Sequence, residues 1–182
     1  MTCQLVVVIL IIVESSTINE YGGIAISRLQ NKVLREVGML ARCIQSISDI
    51  KFRELKLQRG QFIFLTRICE RPGINLVELS NLLKVDKATT TKAIQKLIEE
   101  KYVVRERGST DRRMWHLYPS LKAKENYPYI IQEENRNIAS CFAGFSIEEQ
   151  ASAYQLLRRM RENIEQDWKE LKTNKDVQEE SI

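Results

Sequence analysis

The side chains best placed to do chemistry in this sequence are small, hydroxylic, amide and cationic groups concentrated in one thirty-residue stretch. Lys87 to Lys101 reads as a helix, and at about 100° per residue its two faces differ. With Ile94 at the centre of the inward face, Thr90, Leu97 and Ile98 fall within about 60° of it. Ala88, Thr89, Lys92, Gln95 and Lys96 fall on the far side, and Lys87 and Thr91 join them as candidates. These residue types suit base edges and phosphates in a major groove: alanine against a thymine methyl, glutamine against adenine, lysine against guanine or phosphate. Taken alone, the same pattern would also serve an ordinary solubilising surface.

The next segment shifts that balance. Arg105, Arg107, Arg112 and Arg113 bracket the polar turn Gly108-Ser109-Thr110-Asp111, with short strands expected at Tyr102-Val103-Val104 and from Met114 to Tyr118. Arginine at a hairpin tip suits a narrow minor groove, where the negative potential is strongest. Asp111 can brace Arg113 by an ion pair. Arg107, Ser109, Asp111, Arg112 and Arg113 are therefore the wing candidates. From Lys84 to Arg113 there are nine Lys/Arg against five Asp/Glu, which is the whole of the net charge of +4. The rest of the chain balances. A solvated charged face is the bland alternative, but it does not explain why the excess gathers here.

These residues need a scaffold. Ile26, Leu29, Val33, Val37, Leu40, Ile44 and Ile47 recur every three or four positions, which predicts a long helix with only Gly38 against it. Gly60 to Glu70 repeats the spacing with Phe62, Leu65 and Cys69 or Ile68, and stops at Arg71-Pro72-Gly73. Asn75 is placed to cap a short helix holding Leu76, Leu79 and Leu82-Leu83. Lys84-Val85-Asp86 makes a tight connection, with Asp86 capping the next helix. Helix, turn, helix and two-stranded hairpin follow in the order of a winged helix. Ser120 can cap a further helix to about Cys141, bent at Pro128 and ended by Gly144. Ser146-Ile147-Glu148-Glu149 is a capping box before a last helix whose face carries Ala151, Tyr154, Leu157, Ile164, Trp168 and Leu171. The polar tail from Lys172 is expected to fray.

With those pieces in place, the sequence resembles the MarR family from roughly Arg28 to Leu171. The resemblance rests on Gly60-Gln61-Phe62, Arg71-Pro72-Gly73 and Leu79-Ser80-Asn81-Leu82-Leu83-Lys84-Val85. It continues through Thr89-Thr90-Thr91-Lys92-Ala93-Ile94-Gln95-Lys96-Leu97 and the wing motif Asp111-Arg112-Arg113. Two positions depart from the family pattern: Pro119-Ser120 replaces Leu-Thr, and Tyr102 replaces a glycine after the recognition helix. The resemblance implies that Arg113 enters a minor groove. It also implies a homodimer built from the first and last helices, acting on duplex DNA in the cytoplasm as a repressor released by a small ligand or another signal such as an oxidant. Independently, both helices carry apolar stripes, which could equally be intramolecular core. Leu29, Val33, Leu40, Leu157, Ile164 and Trp168 are the interface candidates. A dimer would read a pseudo-palindrome with half-sites about one helical turn apart.

The expected fold is mainly α: a winged helix-turn-helix with long N- and C-terminal dimerisation helices. Its segments are an apolar extension over 1–18, a dimerisation helix over 19–56 and a DNA-binding region over 57–119. Helices completing the dimer follow over 120–172, and a frayed tail over 173–182. The apolar run Leu5 to Val13 is too short to span a bilayer and lacks the flanks of a signal peptide. One reading makes it an over-extended translation start, with the working protein beginning near Ile18; the other makes it a strand or helix packed on the dimer. Four scattered cysteines fit a reducing compartment, and a single histidine gives poor support to a zinc site. Cys43 is expected to be a buried small hydrophobe and His116 structural. No metal, cofactor or catalytic residue is expected: phosphate-cradling glycine loops and nucleophile elbows are missing from the sequence. The competing reading is a winged helix used for protein contact without sequence-specific DNA binding.

Overall fold

The computed structural model describes residues 29–108 and 114–179. Helix α1 (Val33–Lys51) leads to α2 (Gln61–Glu70), strand β1 (Ile74–Asn75), α3 (Leu76–Leu83) and α4 (Lys87–Glu99). Strands β2 (Val103–Arg107) and β3 (Trp115–Pro119) follow, then α5 (Leu121–Cys141) and α6 (Ile147–Glu179). This is the mainly helical winged helix-turn-helix that the sequence predicts, with one strand more than expected. β1 pairs antiparallel with β3, setting Ile74 opposite Leu117, so the sheet order is β1-β3-β2. Two residues between a breaker and a helix cap are too few for alternation to show. Gly73 makes the entry feasible: its φ is 89°, and a Cβ there would lie 3.3 Å from the Tyr118 hydroxyl.

The helix caps fall where side-chain chemistry puts them. Asn75 Oδ1 accepts from the Glu78 amide at 2.9 Å while Glu78 accepts from the Asn75 amide at 3.0 Å, a full capping box. Asp86, Ser120 and Ser146 accept in the same way from the amides of Thr89, Ala123 and Glu149. Pro128 sits inside α5 without ending it. α4 stops at Glu99, earlier than the expected Lys101, because the chain turns left-handed at Lys101 with φ 62°. The Tyr102 amide reaches Leu97 O at 2.8 Å and the Lys101 amide reaches Ile98 O at 2.9 Å, the bonds of a Schellman motif. Tyr102 can then bury its ring completely and donate its hydroxyl to Leu55 O at 3.0 Å. The strand therefore begins at Val103, one residue later than expected.

Leu65, Ile68, Leu79, Leu97, Leu117 and Ile130 form the fully buried centre of the core around Tyr102. Phe52, packed on Phe62 at 5.1 Å and edge-on to Tyr129 at 6.0 Å, fixes the carboxyl end of α1 to α2 and α5. The first turns of α1, Val33 to Cys43, are exposed almost throughout. The helix starts at Val33, where the Asn31 side chain accepts the Val33 amide at 2.8 Å, so the expected start at Ile26 is not met; Leu29 precedes the helix and Ile26 lies outside the described residues. Cys43 is exposed on this chain, in place of the burial expected for it. α6 runs through Glu179, past the point where fraying was expected. Arg158–Glu162 and Arg161–Glu165 ion pairs at 2.8 and 2.7 Å, spaced by four, show how a polar stretch sustains a helix. The apolar run from Leu5 to Val13 also lies outside the described residues.

Candidate nucleic-acid interface

α4 is seated by Thr90, Ile94 and Leu97, all buried, and its outward residues Lys87, Ala88, Thr89, Thr91, Lys92, Gln95 and Lys96 are all exposed. The wheel drawn from the sequence thus sorts the helix as the structure does. Two threonine hydroxyls turn back on the backbone, Thr90 to Asp86 O at 2.9 Å and Thr91 to Lys87 O at 2.8 Å. Hydrogen bonding by Thr89, its side chain first and its amide second, holds the Asp86 carboxyl below its ordinary value. The cap is therefore ionised under ordinary conditions and favours the positive end of the helix dipole.

The outward cations are not equivalent. Lys87 and Lys92 have no carboxylate partner among the described residues. Lys96 lies 3.6 Å from Glu100 and 4.0 Å from Glu99, and Glu100 is shared with Lys56 at 3.3 Å. Gln95 donates to Glu99 at 3.3 Å. No acidic residue occurs from Lys87 to Ile98, so α4 presents cationic and hydroxylic chemistry over most of its length and acidic chemistry at its carboxyl end. Lys122 closes that end by donating to Glu100 O at 2.8 Å, with its ammonium 4.0 Å from the Tyr102 ring centre.

On the wing, β2 and β3 pair with Arg107 opposite Trp115 and Arg105 opposite Leu117. Directly opposed residues share a sheet face, so Val103, Arg105 and Arg107 lie on the side of Leu117 and Trp115. Near the base this face is core; toward the tip it becomes cationic. The Arg105 and Arg107 guanidinium groups lie 4.7 and 5.0 Å from the centre of the Trp115 ring. Glu106, between them, points to the opposite face by the pleat. Gly108 donates to Met114 O at 3.0 Å, closing the described part of the hairpin. Ser109, Asp111, Arg112 and Arg113 lie outside the described residues. Trp115 was not singled out from sequence; its place opposite the wing arginines was the signal available.

The expected interface residues divide. Leu29, Val33, Leu40, Leu157 and Ile164 are exposed on the single chain, Ile164 at 62%. Trp168 is half-buried and also meets its own chain. Its ring centre is 5.2 Å from the Lys84 ammonium and 4.8 Å from that of Lys172. Lys84, left-handed at the turn between α3 and α4, also donates to Glu165 at 2.7 Å, and Lys172 donates to Asn81 at 2.9 Å and Ser80 at 3.1 Å. Bonds from Lys84 and Lys169 hold the Glu165 carboxyl down at about 2. α6 is thereby tied to the helix-turn-helix.

His116 and Cys69 are tied into the fold. His116 Nδ1 lies 2.6 Å from Gly73 O, a bond that locks β3 to the turn before β1. Burial pushes the Cys69 thiol up to about 11. Among the described residues no three His, Cys, Asp or Glu side chains gather to hold a metal, and no helix is long and apolar enough to cross a membrane.

The comparisons with known proteins agree with this architecture. Residues 57–114 match the MarR family model. Over 142 residues the chain is 39% identical to YybA of Bacillus subtilis (strain 168), described as an uncharacterized HTH-type transcriptional regulator, covering 78% of this chain and 95% of that protein. The solved MarR protein from Peptoclostridium difficile DA00132 is 54% identical, with a TM-score of 0.77 over 83% of this chain and 99% of its own. A MarR family transcriptional regulator from Listeria monocytogenes, solved in complex with 26mer DNA, is 36% identical with a TM-score of 0.76, covering 79% of this chain and 95% of its own. With the recognition helix, the wing and the capped helix-turn-helix all in the family's arrangement, this chain belongs to the MarR family of winged helix-turn-helix transcription regulators.

Proposed function

We propose that two copies of the chain grip a pseudo-palindromic duplex, each placing the outward face of α4 in a major groove and its wing along the flanking backbone. One observation carries this reading: from Lys87 to Lys96 every exposed side chain of α4 is small, hydroxylic, amide or cationic, over a buried Thr90-Ile94-Leu97 seat. Ala88, Thr89, Gln95 and Lys92 are assigned to base edges, Lys87 and Thr91 to the groove wall, and Lys96 to phosphate once Glu100 is displaced. In the wing, Arg107, Ser109 and Arg112 are assigned to the backbone. Arg113, braced by Asp111, is assigned to the narrow minor groove. The exposed apolar faces of α1 and α6 support the homodimer, since patches of that kind mark partners. The Listeria regulator solved with DNA supports the DNA partner.

Family membership supports the rest of the reading, a cytoplasmic repressor released by a small ligand or another signal. Protection mapping on duplex upstream of the chain's own gene, repeated across a salt series, tests it. The expected result is two protected half-sites about one turn apart, with affinity falling steeply as salt rises. Binding indifferent to sequence and salt would instead leave a protein-contact module.

A further inference from the structure

We propose that Trp115 is a positioning residue for DNA contact, its indole holding Arg105 and Arg107 ready on one face of the wing before any duplex arrives. The inference rests on the DNA-binding reading and adds to it how the wing achieves affinity. Both guanidinium groups lie within 5.0 Å of one ring centre. Among the described residues neither arginine has a carboxylate partner, so the ring restrains them without consuming their donors. The pleat sends both arginines to the ring's face and Glu106 to the other. A free arginine loses rotamer freedom on meeting phosphate; one already held against an aromatic face loses less. Trp115 is half-buried at the hairpin's outer end, beyond Leu117 and the core, so packing alone gives little reason for a tryptophan there.

The test is a coupling cycle on the full chain with a duplex spanning the protected site. Trp115→Leu keeps apolar bulk and removes the π face. It should weaken binding about fivefold to tenfold per subunit with the salt slope retained, since the arginines still reach phosphate but arrive disordered. Arg105→Ala with Arg107→Ala should lower the slope itself, by about 0.9 for each phosphate no longer neutralised. In that double-arginine background Trp115→Leu should cost nothing further, and Trp115→Tyr in the wild type should restore most of the affinity. Should the leucine variant melt early, Trp115→Ile, which suits a strand and also lacks a π face, carries the same cycle. A Trp115 effect that persists without the arginines, or a leucine variant binding as tightly as wild type, overturns the proposal alone. A wild type that binds no duplex overturns the DNA reading and this inference with it.

Discussion

Trp115 on the wing and Trp168 on α6 are each approached by two cationic groups at similar range, 4.7 and 5.0 Å in one case and 5.2 and 4.8 Å in the other. They differ in what else the cations meet. Beside Trp168, Lys84 is bound to Glu165 and Lys172 to Asn81 and Ser80, so the donors are used within the chain. Beside Trp115 the guanidinium groups have no carboxylate partner among the described residues. Cations stacked on an indole are therefore bonded within the chain at one site and, among the described residues, without a carboxylate at the other, a contrast that a count of charges does not show. α4 repeats the lesson along a single helix: Lys92 is without a described carboxylate, whereas Lys96 is held by Glu100.

The severest way to break the comparison is to remove the strut. Truncation at Ser146 deletes α6, its Glu165 and Trp168 bonds to the helix-turn-helix, and the apolar face of Leu157 and Ile164. The expected product is monomeric or insoluble and no longer binds operator, measured by light scattering and duplex titration. A stable, soluble dimer from that truncation would refute the dimer assignment. Next in size is the contrast along α4. Lys92→Ala or Gln95→Ala should relax base preference at one operator position by about 1–3 kcal/mol per bidentate pair removed. Lys96→Ala should weaken specific and non-specific duplex alike and by less, because its charge is already shared with Glu100. Equal losses at Lys92 and Lys96, measured on matched and scrambled duplexes, would erase the distinction between held and available cations.

A smaller effect is expected inside the strut itself. The Glu165 carboxyl is depressed from its ordinary 4.5 to about 2, chiefly by Lys84 and then by Lys169. A depressed folded-state value contributes stability above the unfolded value, which is lost as pH falls through the folded one. Glu165→Gln should therefore lower the melting temperature slightly at neutral pH. The gap from wild type should close between pH 4.5 and 2, where the wild-type carboxyl also becomes neutral. A gap that persists below pH 2 would mean that the substitution acts through packing.

Legibility from sequence followed the length scale of each feature. The faces of α4 and the caps at Asn75, Asp86, Ser120 and Ser146 were readable because each depends on residues within a turn of one another. β1 was not, since two residues carry no period and its partner lies over forty positions away, at His116 and Leu117. The Lys84–Glu165 bond spans 81 residues, and no local pattern could reveal it. The contacts of Trp168 with Lys84 and Lys172 are equally hidden from a helical stripe, because Lys84 lies on another element. The start of α1 was misplaced because periodicity continues through Leu29, whereas the Asn31 side chain bonds the Val33 amide at the observed start.

The mildest expected effect separates where a cation sits from how many there are. Lys101 is exposed and left-handed at the end of α4, a conformation that costs a residue with a Cβ roughly 1–2 kcal/mol. Glycine adopts it freely, at some cost in unfolded-chain entropy. Lys101→Gly also removes a favourable charge near the helix carboxyl end, worth about 0.3–1 kcal/mol. These terms nearly cancel, leaving stability within about 1 kcal/mol of wild type and on the stabilised side if strain relief leads. Although the net charge falls by one, DNA affinity and salt slope should be unchanged, because Lys101 sits beside Glu99 and Glu100 at the acidic end of the helix. Lys92→Ala removes the same charge from the middle of the outward face and should weaken binding to the matched duplex. The measurement pairs thermal melting with duplex titration across salt for the two variants. If Lys101→Gly weakens the matched duplex as much as Lys92→Ala does, net charge governs binding and the distinction between the two positions fails.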